Sequence, residues 1–384
     1  MTGETIRYPF NQTAPTASKS PFCMRRILIV LFGFWGMAAH GQEVLQVDSL
    51  PYAWRSYDCL RLSQPPVIDG RGDDVAWAGI PWSEPFVDIE GAAKPLPSYE
   101  TRFKMAWDSS GLYVLARLEE PQLWATLEER ESIIYQDHDI ELFLDPGDDT
   151  HLYYELEINA LGTEWDLMLV KPYRDGGPAL HAWDIEGLQT AIHLQGTLND
   201  PRDTDTAWWA EMFLPWGSLV EAAPGRRLPA EGDVWRLDFS RVEWDLKTRR
   251  RRYEKAIDPA TDKPLPEHNW VWSPPGKINM HEPEKWGYLR FVTEAPEAVF
   301  APGPESHLKW ALRELYYRQR AYHEAEGRYA RRFDELGLSR VRVAGQSVAV
   351  NMSGNGIQYL ISIARAGDPR TWYIDQSGRT WSDQ

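Results

Sequence analysis

Cysteine is nearly missing from this chain: Cys23 and Cys59 are the only two in 384 residues. Long apolar runs are missing too. The best is Ile27 to Ala39, too short to span a bilayer comfortably. It follows Arg25-Arg26 and ends in Ala39-His40-Gly41, the pattern of a signal peptide starting at Met24 and cleaved near Gly41. Residues 1–23 then form an upstream segment of undecided origin. Cleavage leaves Cys59 alone, which excludes an intramolecular disulfide and assigns stability to the core. Cys23 precedes the apolar run, where a lipid-anchoring cysteine would follow it. The reading is an exported protein, periplasmic or extracellular, soluble and without a membrane span.

Positive charge is also scarce. Removing residues 1–41 takes four basic residues (Arg7, Lys19, Arg25, Arg26) and one acidic residue (Glu4) from totals of 41 and 57, so the net charge falls from −16 to about −19. That argues against nucleic acid and anionic membranes as partners. Helical periodicity is almost absent before residue 305, which excludes an alternating βα fold.

What is present is alternation of period two. It is clearest from Asp137 to Asp166, where Ile140, Leu142 and Leu144 alternate with Glu141, Phe143 and Asp145, and Leu152, Tyr154, Leu156 and Ile158 alternate with Tyr153, Glu155, Glu157 and Asn159. The pattern predicts one face in a core and the other, carrying Glu141, Glu155, Glu157, Phe143 and Tyr153 with Tyr135 nearby, in solvent. Thr101 to Trp107 and Leu112 to Leu118 read as a hairpin about Asp108–Gly111. Further strands are read at Gly162 to Val170, Leu188 to Thr197, Trp208 to Leu214, Val234 to Val242 and Trp286 to Val292. The resulting fold class is mainly β, an antiparallel β-sandwich over residues 52–293. A Pro- and Ala-rich linker at 294–304 leads to a small α+β domain over 305–384. Its one long helix, Glu305 to Leu336, stops at Gly337, and short strands come after it.

Four elements in order carry a resemblance: IDG-x-x-DD-x-AW at Ile68 to Trp77, D-x-E-x-F-x-D at Asp139 to Asp145, E-x-x-x-PW at Glu211 to Trp216, and WG-x-L at Trp286 to Leu289. Over about residues 52–293 the chain resembles carbohydrate-binding module family 9. The resemblance implies a β-sandwich that holds a sugar between two aromatic side chains, with polar groups on its hydroxyls and calcium in some members. Carried onto this sequence, the first platform is Tyr135, with Trp124 further back. The strand carboxylate is Glu141, the second platform is Trp270 or Trp272 beside a Pro-Pro-Gly turn, and Arg102 is a candidate hydroxyl donor. The implied partner is an oligosaccharide or polysaccharide; the sequence names no protein partner.

Most of the 19 tryptophans belong to the core of a large β-fold, and those in Pro/Gly-rich segments are the ones that ask for another reason. A pyranose offers an apolar C–H face to such a ring and hydroxyls to carboxylates or guanidinium groups, so the site needs no cofactor and no proton chemistry. Asp145, Asp148 and Asp149 around Pro146-Gly147 could hold calcium, or form an acidic turn in an acidic protein. Arg249 to Arg252 reads as a solvated loop or a partner for acidic surface. Two rival readings are a glycoside hydrolase using paired carboxylates and a haem-binding electron-transfer sandwich, for which His138 and Met105 are the available ligand types.

Overall fold

The computed structural model describes residues 43–383; the expected signal peptide, 1–41, lies outside them. No helix among the described residues is long and apolar enough to cross a membrane. Most of the chain forms one hydrogen-bonded path of strands. It runs Gln189–Gln195, Ala207–Pro215, Gly111–Glu119, Thr101–Trp107, Ser56–Arg61, Gly287–Val292, Val234–Glu243, Asp139–Asp145, Tyr153–Asn159, Glu164–Leu169 and Ala179–Leu180. The path turns back on itself as a sandwich. Ile140, Leu142, Leu144, Leu156 and Ile158 from one half meet Phe103, Met105, Val114, Ala116, Trp208 and Met212 from the other in a single core. The predicted hairpin and sandwich are there. Pairing is antiparallel except at Ser56–Arg61, which lies parallel to both its neighbours.

Three of the four sequence elements that carry the resemblance are fixtures of this scaffold. Glu211, completely buried, accepts hydrogen bonds from the Asp69 and Gly70 N–H groups at 3.1 and 2.9 Å and from the Trp77 indole at 2.7 Å. The IDG and E-x-x-x-PW elements are thus two halves of one lock. At the closing element, a Cβ on Gly287 would stand 2.5 Å from the Trp272 ring and 2.8 Å from the Arg55 carbonyl, so only glycine admits the tryptophan beneath it.

A separate six-stranded sheet has its own core under the helix Pro304–Glu326, where Leu308, Leu312 and Leu315 meet Val341, Ile361, Ile363 and Ile374. Its edge strand is Glu43–Val47, which pairs parallel with Leu338–Val343. Residues before the sandwich therefore belong to the C-terminal sheet, an assignment that alternation alone does not reveal. The helix also ends ten residues before the expected Leu336. Gly327 takes a left-handed conformation (φ 68°) and its N–H caps His323, while Gly337 closes a separate 3₁₀ turn at Phe333–Leu336. The arginine run is the exposed tip of a hairpin, Leu246–Arg249 with Arg252–Lys255.

Glu211→Ala would leave three donors unsatisfied, two backbone N–H groups and one indole, at a cost of roughly 2–5 kcal/mol. Chemical denaturation should show that loss, and an unchanged midpoint would remove Glu211 from the scaffold's supports.

Candidate functional site

The outward face of the strands Asp139–Asp145, Tyr153–Asn159 and Glu164–Leu169 is covered. The segments 127–134 and 271–286 fold over it, and Ile134, Phe143, Tyr153, Trp165, Leu167, Val271, Met280 and Trp286 form a second core there. The expectation that Glu141, Glu155 and Glu157 face solvent is corrected. Their relative exposures are 6%, 6% and 1%, and that of Asp139 is 0%. Both faces of these strands are buried because a polar row is overlaid by apolar loops, which alternation along one strand cannot disclose.

Cross-strand register sets the carboxyls together. Ser240, Glu141, Glu157 and Trp165 form one row across four strands, and Glu155 lies in the next, opposite Phe143. Carboxylate oxygens of Asp139, Glu141 and Glu157 all come within 4.8 Å of one another. Asp139 Oδ1 accepts the Val242 N–H at 3.0 Å, and Glu157 Oε2 accepts the Tyr135 N–H at 3.0 Å. Ser240 Oγ stands beside Glu141 and holds that carboxyl's pKa down slightly, yet it closes no hydrogen bond of good geometry; Asp139 Oδ2 has no partner either.

Burial dominates the electrostatics. It pushes Glu141 up to about 7, with the charge of Glu267 adding to it. Glu155, Glu157 and Asp139 are raised well above the usual carboxylate range by burial first and by the charge of Glu141 next. No Lys, Arg or His among the described residues forms an ion pair with any of these four. The other two acidic groupings do have a cation. Arg130 bridges Glu131, Glu164, Asp166 and Asp184, and Arg241 lies 2.8 Å from both Glu120 and Glu243.

Tyr135 sits on the turn Ile134–Gln136, is 41% exposed, and its carbonyl accepts the Trp244 indole N–H at 3.0 Å. The other aromatic candidates are corrected. Trp270 is 5% exposed and Trp272 0%, because His268–Val271 pairs with Val234–Glu243 and aims alternate residues into the main core. Trp270 lies edge-on to Tyr99 and is stacked on His268, and Trp272 packs against Phe103. The Pro-Pro-Gly turn begins only after the strand that carries both tryptophans inward. Trp124 is 7% exposed with its ring against His138. Arg102 projects from the outer face of the opposite half of the sandwich and pairs with Glu100 at 3.0 Å, so it does not join Glu141.

The acidic turn offers no cation site, which corrects that candidate as well. Asp145 accepts the Gly147 and Thr150 N–H groups, Asp148 is paired with Arg236 and Lys309, and Asp149 with Arg379. The haem reading also fails on geometry. His138 is enclosed by Glu120 (3.2 Å), Glu243 (3.6 Å) and the Trp244 carbonyl (3.0 Å), while Met105 lies completely buried in the main core.

One aromatic that sequence reasoning missed lines open space. A cleft of about 590 Å³ is bordered by Arg130, Glu164, Trp183, Asp184, Ile185 and Leu188. Trp183 stacks on Tyr154 at 4.8 Å and donates its indole N–H to Glu221. Its signal was available, since it comes after the Gly176-Gly177-Pro178 turn in a segment without alternation.

The raised pKa of Glu141 carries a sign for stability. The unfolded chain releases that proton near 4.5 and the folded chain near 7. Its contribution to stability is therefore full below pH 4.5 and is lost as pH rises through 7, on the order of 3 kcal/mol in all. Buried His281, held neutral with its pKa pushed down to about 4 by burial and Arg174, acts oppositely between pH 4 and 6.5 but is common to wild type and variant. In a chelating buffer, Glu141→Gln should match wild type in melting temperature near pH 4.5 and exceed it increasingly towards pH 8. A constant difference across that range would contradict the assignment.

Known proteins were then compared with this chain. The sequence profile described as carbohydrate family 9 binding domain-like matches residues 68–293. No curated protein matches. A candidate carbohydrate-binding protein from Bacteroides uniformis ATCC 8492 is 17% identical and superposes with a TM-score of 0.46 over 62% of this chain and 100% of its own. A carbohydrate binding module family 9 from Caldicellulosiruptor kristjanssonii is 19% identical in complex with cellotriose (TM-score 0.40; 65% of this chain, 100% of that one). In complex with glucose it is 18% identical (TM-score 0.39; 64% and 99%). The profile spans more than half of the residues and includes all four sequence elements, IDG, D-x-E, E-x-x-x-PW and WG-x-L, and on that ground this chain belongs to the carbohydrate family 9 binding domain-like family.

Proposed function

We propose that the sandwich binds carbohydrate without breaking it. A sugar ring lies against Tyr135, and a hydroxyl reaches towards Glu141, which keeps a residual 6% exposure, while Asp139 and Glu157 stay enclosed behind it. The observation that carries this reading is the tie between the exposed Tyr135 ring and the carboxyl row. The Tyr135 N–H is bonded to Glu157, and Glu157 sits directly across from Glu141. An apolar ring face and hydrogen-bonding oxygens on one rigid strand pair match the two surfaces of a pyranose. A protonated carboxyl also donates, so the row can serve hydroxyls in either direction.

The hydrolase alternative is less well served. Its two carboxyls must stand on either side of the scissile bond, whereas Glu141 and Glu157 are neighbours on one face with oxygens within 4.8 Å. Stacking and a few hydrogen bonds, each worth about 1–3 kcal/mol in comparable settings, put affinity in the range of roughly micromolar to millimolar.

Isothermal titration of the best glycan-array hit tests the proposal. Tyr135→Ala should lose about tenfold to hundredfold in affinity while circular dichroism stays native. Equal affinity in the variant would remove Tyr135 from the site, and release of reducing sugar would favour the hydrolase.

We also infer that the chain acts as an exported protein, from Arg25-Arg26 ahead of Ile27 to Ala39. Terminal sequencing of the protein from its native host should begin near Gln42; recovery of an intact Met1 terminus would refute export by this route.

A further inference from the structure

We infer that a small monovalent anion of the halide class is bound where the helix Pro304–Glu326 meets the sandwich, held by Arg313, Lys309 and Arg236. The inference lies outside the carbohydrate reading and does not rest on it.

Three arginines among the described residues are buried: Arg236 at 4% exposure, Arg241 at 0% and Arg313 at 2%. Two are answered by carboxylates, Arg236 by Asp148 at 2.6 Å and Arg241 by Glu120 and Glu243 at 2.8 Å each. Arg313 forms no ion pair among the described residues, and its hydrogen-bond partners are neutral: Nη2 donates to the Gly378 carbonyl at 2.8 Å and the Thr150 hydroxyl at 3.3 Å. Its Nε and Nη1 are buried without an acceptor. The Tyr316 ring lies 5.0 Å from the guanidinium, a contact that attracts the charge without neutralising it. A buried guanidinium with no counter-charge is costly to leave unanswered.

Arg313 lines a cavity of about 20 Å³, room for one particle of the size of a water molecule. Arg236 and Lys309 share its wall with the carboxylates of Asp148 and Glu284, so the lining carries three positive charges against two negative. Both negative charges are already engaged. Asp148 bonds Arg236 and Lys309, and Glu284 accepts from Arg174 and Tyr317. Asp145, in the same turn as Asp148, is raised well above the usual carboxylate range by burial and by the charges of Asp149 and Asp148, so it adds no counter-charge. Water fits the volume but leaves the excess charge, whereas a phosphate or sulfate brings charge but exceeds the volume. A halide meets both conditions. Ser306 and Thr380 also line the cavity, and a hydroxyl can donate to an anion. Lys309 and Asp148 keep side-chain exposures of 16% and 26%, which gives the ion a route from solvent. Bound there, it ties Lys309 and Arg313, one helical turn apart, to Arg236 of the sandwich and so clasps the two cores together.

The test uses the full mature chain without sugar, so its outcome is separate from that of the glycan titration. At pH 7.5 and fixed ionic strength, replacing sodium gluconate, too large for the cavity, by sodium chloride or sodium bromide should raise the melting temperature. Chloride NMR should show a line broadened by the protein and narrowed again by competing bromide. Arg313→Gln, which keeps donors for Gly378 and Thr150, and Lys309→Met should each weaken chloride binding by at least about tenfold. Arg379→Gln, which removes an interface cation already paired with Asp149, should bind chloride as wild type. A folded wild-type chain with neither a chloride-dependent melting temperature nor a broadened chloride line overturns the proposal, whether or not the variants fold. So does undiminished chloride binding in folded Arg313→Gln or Lys309→Met, or an equal loss in Arg379→Gln.

Discussion

The covering of one sheet face by loops is the constraint on which the rest of this molecule depends. A strand has two faces, and a sandwich ordinarily buries one. Here the strands from Asp139 to Leu169 bury both, the inner against the main core and the outer under segments 127–134 and 271–286. Glutamates that a free face would leave in water are thereby enclosed, and their pKa values rise for that reason before any other. The consequence is a polar row held at high internal cost beside an exposed ring. Such tension is retained where a ligand relieves it more readily than at a site that serves packing alone.

The same logic explains how the C-terminal module is seated. The two cores share no side chain, and much of the join is made by charge and hydrogen bonds, with Arg174 also lying over the Tyr316 ring. The turn at 145–150 presents Asp148 to Lys309 and Asp149 to Arg379, while Arg313 reaches the Thr150 hydroxyl. Further along the same face of the helix, Arg174 pairs with Glu284 at 2.8 Å, and Tyr316 and Tyr317 donate to Asp175 and Glu284. Arg174 holds the Glu284 carboxyl far below its ordinary range even against burial. Buried charge pairs of this kind fix orientation more than they add stability. The acidic turn that reads as a calcium loop in sequence is therefore a docking surface whose cations come from the protein itself.

How much of this is legible in the sequence depends on the range of each interaction. Strands are readable because alternation is local, and the hairpin at Asp108–Gly111 is readable because turn chemistry is local too. The contribution of Glu43–Val47 to the C-terminal sheet is not, since its partner lies almost three hundred residues away and parallel pairing leaves no turn between them. Tyr135 and Glu141 can be singled out as candidates because each lies on or beside a clear strand. Trp270 and Trp272 mislead because Pro274-Pro275-Gly276 punctuates the chain beyond them and says nothing of the strand before it. Trp183, beside the Arg130 cleft, meets the same Pro/Gly criterion and is the ring that does reach open space. Ser240 carries no signal at all, as only cross-strand pairing places it beside Glu141.

Charge balance, taken residue by residue, then separates scaffold from site more sharply than composition does. The chain carries a large acidic excess, and nearly every buried carboxylate can be traced to a specific answer. Glu211 has three N–H donors, Asp148 two cations, Glu284 an arginine, and Asp166 both Arg130 and the Ile185 N–H. These are groups whose requirements are met within the fold. The row at Glu141 is different in kind, because its members answer one another chiefly with repulsion and no ion pair reaches them among the described residues. An unmet electrostatic requirement on a rigid sheet, next to the exposed ring of Tyr135, is where this fold has interaction capacity left to give to something other than itself.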